Sequence, residues 1–149
     1  MKYKTEAVGF ALLVAWCSTA GAALTVDFTV PLNISRLPEM VQWFKVECEL
    51  LDSGGAVVGN ADTNVMVDTS TGKPQQNEVT MRVLQYPNGN PPTNWKCTLY
   101  LSDNSSFLSW KTPSTQPNPA WRPAPGTPLV EEVSGALPAP EVPLRSAPR

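Results

Sequence analysis

Two short stretches of this chain alternate apolar and polar residues, and each carries a cysteine in the apolar phase. In the first, Phe44, Val46, Cys48 and Leu50 are interleaved with Lys45, Glu47 and Glu49. In the second, Trp95, Cys97, Leu99 and Leu101 are interleaved with Lys96, Thr98 and Tyr100. A period of two is what a strand with one buried face requires, because successive side chains leave the backbone on opposite sides. A cysteine on the apolar face of each strand confines the chain to folds that bring these two strands within bonding reach in the core.

Other segments follow the same pattern. Leu24, Val26, Phe28 and Val30 alternate with Thr25, Asp27 and Thr29, and Val79, Met81 and Val83 alternate with Thr80 and Arg82. Residues 56–59 and 64–68 are weaker strand candidates, and 107–110 reads as a last edge strand. The breaks between them carry turn residues: Ser53-Gly54-Gly55, Thr71-Gly72-Lys73-Pro74, the proline-interrupted loop at 86–93, and Asp103-Asn104-Ser105-Ser106. Residues 37–44 hold a helical turn as an alternative, since Pro38 and Glu39 suit a helix start. No internal repeat and no amphipathic helix of useful length is present. About seven short antiparallel strands at this spacing predict an all-β fold, a small sandwich with one core disulfide.

The cysteine count bears on the compartment. Of three cysteines, Cys17 lies in a segment that reads as a secretory leader. Lys2 and Lys4 head an apolar run at 7–16, and Ala20 and Ala22 supply the small residues a signal peptidase needs. The run is shorter than the roughly 20 residues that cross a bilayer. Two narrower patterns fail on one residue each. Bulky Trp16 precedes Cys17 where a lipoprotein site needs a small residue, and Val14 follows Gly9-Phe10 where a prepilin site carries glutamate. Cleavage after residue 22 leaves Cys48 and Cys97, which in an oxidising compartment form one disulfide. The expected protein is therefore exported, periplasmic or secreted, with no stable membrane insertion after cleavage.

The layout resembles immunoglobulin-like sandwiches at a few positions: two core cysteines on an early and a late strand, with aromatic Trp95 two residues before the second. It departs from antibody domains in having tryptophan where a tyrosine makes the corner bond, and no tryptophan at the usual distance after Cys48. The resemblance implies architecture and carries no function.

Composition removes several chemistries. There is no histidine, so imidazole-based nucleophile activation, histidine zinc sites and a pH switch near neutrality are unavailable. Losing the leader lowers Lys+Arg from 11 to 9 and Asp+Glu from 13 to 12, so the net charge moves from −2 to −3. The cations are scattered singly, which predicts no nucleic-acid partner. No cofactor is expected. Cys48 and Cys97 lack the spacing and the basic surroundings of a redox-active pair.

The remaining candidates are weak. Asn60, Asp62 and Asn64, with Asp68 beyond, place oxygen ligands at alternate positions. Val65 stands where a calcium loop needs glycine and Thr71 where it needs glutamate, so a polar turn is the plainer reading. Glu47 and Glu49 are the best carboxylate pair for a small hydrolase, yet two glutamates at i and i+2 beside a lysine read as a solvated strand face. Trp43, Tyr100 and Trp110 fall partly on the outward phase and form the candidate binding face, because aromatic rings bring large contact area at little entropy cost. Asn33-Ile34-Ser35 and Asn104-Ser105-Ser106 match the glycosylation pattern.

Ten of the sixteen prolines fall after Lys111, where large apolar residues are few. Such a segment is expected to be a disordered Pro-rich tail, a spacer or a docking segment. The expected organisation is thus a leader at 1–22, a β domain at 23–111 and a tail at 112–149. The expected role is that of a non-enzymatic module binding a protein or envelope component. The alternatives are a structural subunit that self-associates by edge-strand pairing and a carboxylate-dependent hydrolase.

Overall fold

The computed structural model describes residues 24–34, 36–102, 109–126 and 129–138. The expected leader, the turn at 103–106, half of the expected strand at 107–110, and residues 139–149 lie outside them, and so do one residue of the first glycosylation match and the whole of the second.

The described chain is mostly β, with antiparallel sheets. The strands are β1 (Thr25–Pro31), β2 (Trp43–Leu51), β3 (Val57–Asp68), β4 (Lys73–Pro74), β5 (Glu78–Leu84), β6 (Asn94–Ser102), β7 (Trp110–Lys111) and β8 (Glu132–Ala136). One sheet contains β1 and β5 alone. The other runs β4-β3-β2-β6-β7, with β8 also pairing β6. Strict alternation in β2 and β5 puts every second side chain in a shared core, where Phe28, Phe44, Leu50, Val65, Val83 and Leu101 lose nearly all contact with water. Within 37–44 the chain makes one hydrogen-bonded turn, the Val41 N–H donating to Pro38 O at 2.9 Å, and then enters β2 at Trp43.

Cys48 and Cys97 form the expected disulfide, but not between layers. They are opposite partners in the β2–β6 ladder, with Cα atoms 4.0 Å apart, so the bond lies within one sheet. The chain departs here from the immunoglobulin-like layout, whose bridge joins the two sheets. Cross-linking residues 49 apart stabilises by about 4 kcal/mol on the chain-entropy account.

Two expectations are corrected. The two weak strands and the polar turn between them are a single strand, β3. Asn60, Asp62 and Asn64 stand on its outer face opposite Glu49, Glu47 and Lys45. Alternate residues of a strand are about 6.6 Å apart and point in parallel, so these oxygens do not converge as a calcium loop requires. The chain after Lys111 is also not apart from the domain. It carries two 3-10 turns at Pro113–Thr115 and Pro119–Trp121, and then β8, whose Glu132–Ala136 pairs Asn94–Thr98. Trp121 and Leu137 are buried, and Gln116 is fully so. A segment of this composition orders because its proline-free run at 129–137 completes the β6 ladder, while its prolines open both 3-10 turns.

Candidate functional site

The outer face of the larger sheet holds the aromatic candidates. Trp43 stands opposite Met66, Tyr100 opposite Lys45, and Trp110 opposite Ser102. The Lys45 ammonium lies 4.7 Å from the Tyr100 ring centre and 5.9 Å from that of Trp110, so these two rings gather around one cation. All three aromatics are half-buried rather than fully presented.

The glutamates share this face. Lys45 Nζ lies 2.9 Å from Glu47 Oε2, and Lys96 Nζ lies 3.0 Å from Glu49 Oε2. Burial works against the charge on Glu47, but the Lys45 ammonium, with help from the Asn60 amide and Lys96, outweighs it and holds the carboxyl below its usual range. A glycosidase acid needs the opposite shift.

The other feature is an open side between the sheets. On the opposite side β5 packs down on β3. There Gly59 is essential, since a Cβ would meet the Leu84 carbonyl oxygen at 2.5 Å, and the Tyr86 N–H donates to Val58 O at 2.7 Å. β1 in turn lies over β6, where the Phe28 and Trp95 rings are 5.5 Å apart. Among the described residues the smaller sheet stops at β1, with no third strand beyond it, while the larger one continues past β6 to β8.

The consequence is a groove of about 610 Å³. Val46 and Leu99 form its floor, Val30 and Leu32 one wall, and Leu129 and Val133 the other. Val130 at its rim is 65% exposed. Among the described residues Glu131 is the one charged residue lining it, and its Oε2 accepts from Ser114 Oγ at 2.7 Å.

The β1 backbone beside the groove has a free edge. The Gln85 N–H donates to Leu24 O, and the Leu32 N–H donates to Asn77 O, both at 2.8 Å. These rungs fix the phase of the β1–β5 ladder: even-numbered residues of β1 bond β5. The N–H and C=O groups of Thr25, Asp27 and Thr29 therefore face the other way, and no strand among the described residues pairs with them.

None of the groove's β8 side was among the sequence candidates, because Leu129, Val130 and Val133 sit in the proline-rich region. The available signal was the nine-residue run 129–137, the longest after Thr112 without proline, with Leu129, Val133 and Leu137 in one phase. The chain matches no protein-family model, no curated protein and no solved structure.

Proposed function

We propose that this is an exported, non-enzymatic binding module of the cell envelope or extracellular space, and that it engages its partner on the open side between β1 and β8. The observation that carries the reading is an apolar groove of about 610 Å³ beside an unpaired strand edge. Apolar concavities of this size are where partners gain most from leaving water. Export is supported by the leader pattern at 1–22 and by the disulfide, a bond that persists in oxidising compartments. As architecture we read the two sheets as a sandwich of immunoglobulin-like plan, short of one strand on the β1 side.

The test is capture of a partner from an envelope extract of the parent cell, with three forms of the protein. Val130→Arg places a charge at the groove's rim, at a side chain already largely in water, and is expected to abolish capture. Trp43→Ala with Trp110→Ala is expected to leave it intact. The reverse pattern would move the site to the outer aromatic face. Intact mass checks export: the exported form lacks residues 1–22 and has no free thiol after denaturation.

The same free edge favours a second reading, a structural subunit whose copies pair edge to edge. Under that reading the mass in solution rises with concentration, and Thr29→Pro, which removes an edge N–H, prevents the rise.

A further inference from the structure

We propose that the groove's occupant is an extended peptide segment of another protein. It adds to β1 as a third strand of the smaller sheet and places alternate apolar side chains between the layers. This deepens the binding-module reading and rests on it.

Three observations select a peptide strand over other apolar occupants. First, β1 runs into the groove at Val30, and the free edge that leads up to it carries backbone groups that want partners. The N–H and C=O of Thr25, Asp27 and Thr29 form a regular row along the free edge of β1. A lipid chain satisfies none of them, whereas a strand 4.7–4.9 Å away satisfies them in turn. Second, the inner side chains of β1 and β8 leave the space of a missing strand between the layers. The larger sheet extends to β8 and the smaller one ends a strand earlier. A strand added there points every second side chain at Val46, Leu99 and Val133 and the others at solvent. Third, among the described residues the lining is apolar apart from Asn33, Thr98 and Glu131, and it holds no cation. The segment that fits is thus alternately apolar and carries a lysine or arginine just beyond its last buried residue, where it meets Glu131. Pro31 offers no N–H, so pairing stops at Thr29. Beyond that point only side chains enter the groove, alongside Leu32 and Ile34.

The probe is a blocked hexapeptide of alternating valine and threonine ending in lysine, titrated into the whole protein without its leader. Binding is expected to slow amide exchange at Thr25, Asp27 and Thr29 at least tenfold, leaving the neighbouring even-numbered amides of β1 unchanged. N-methylating the peptide's valine amides or its threonine amides separates the two sides of the strand. One set faces β1, and its methylation is expected to weaken binding at least tenfold; methylation of the other set leaves it unaltered. Thr29→Pro, tolerated where the lost N–H points away from a ladder, is expected to weaken binding similarly with the thermal transition retained.

Equal binding of both methylated peptides, or no binding at millimolar concentration, overturns the proposal. So does a dodecyl detergent that binds the groove when the peptide does not, which would make it a lipid site. Slowing of the same amides on raising the protein concentration alone overturns it in favour of a second copy. If Val130→Arg abolishes partner capture while the peptide fails, the binding-module reading stands and this inference falls.

Discussion

Single residues decide how closely the strands approach. Gly135 on β8 lies against the Trp95 indole, and a Cβ there would come within 2.9–3.0 Å of ring atoms. The ring has little room to move, because it is largely buried and also packs against Phe28. Gly135→Val is therefore expected to push β8 away from β6, lowering stability by about 1–3 kcal/mol as overpacking does; the urea midpoint reads it. Asp52 organises the β2–β3 turn in another way. Its Oδ1 accepts from the Gly54 and Ala56 N–H groups, both at 2.9 Å, and its Oδ2 accepts from Asn90 Nδ2 at 2.8 Å. The Asn90 amide foremost, then the Ala56 N–H, hold the carboxyl below the ordinary aspartate range. A depressed pKa means that the folded state favours the charged form. The stabilisation is thus complete above the ordinary aspartate range and is lost as pH falls through the lowered value. Asp52→Asn is expected to be less stable at pH 7 and to show a shallower acid limb in denaturation midpoint against pH. A limb of unchanged slope would assign the acid sensitivity to other carboxylates, such as Asp27 beside Arg82.

At the level of elements, of the six described strands longer than two residues four were legible and two were not, for definable reasons. β1, β2, β5 and β6 announce themselves because large apolar residues recur at every second position. β3 was read as two pieces because its middle inward positions are Ala61 and Thr63, too small and too polar to register, while Asn60, Asp62 and Asn64 on the outer face imitate a turn. β8 was hidden by its neighbourhood, since prolines on both sides make its nine-residue run look like tail. Periodicity gave the phase of Cys48 and Cys97 but not their neighbours. A period of two says which face a residue occupies, and it leaves open whether two such faces meet side by side or across layers. The proline-rich segment gives the sharpest test at this scale. A chain ended at Lys111 loses β8 with the buried Trp121, Gln116 and Leu137, whereas one ended at Pro138 keeps them. Burial of the two large apolar side chains is worth about 1.5–3 kcal/mol each. The shorter chain is expected to lose on the order of 5 kcal/mol, a large share of what a small domain has. Its Trp95 emission should shift to the red, since β8 shields that ring. A sharp, unshifted unfolding transition at Lys111 length would restore the domain boundary read from composition.

For the molecule as a whole, the decisive asymmetry is that one side of the core is closed and the other is not. Gly59 lets β5 seat on β3, and among the described residues no strand finishes the β1 side. The sequence carried no sign of this, because a groove left by a strand that is not there has no residues of its own to read. A protein selected for stability alone gains by filling such a space, since each added apolar group that leaves water contributes about 25 cal/mol per Å². A protein that keeps the space for a partner does so against that gain. Val133→Phe separates the two cases. Val133 is partly buried on the inner face of β8 opposite Cys97 and lines the groove, so a phenyl ring enters space that is already apolar and already present. The expected outcome is a rise in stability of about 1 kcal/mol by urea denaturation, together with a loss of partner capture as complete as that of Val130→Arg. A loss of stability would mean that the walls at Val30 and Leu32 leave no room for the ring, and that the groove is narrower than a strand needs. A gain in stability with capture intact would show that the partner binds elsewhere, and would return the search to Trp43, Tyr100 and Trp110 on the opposite face.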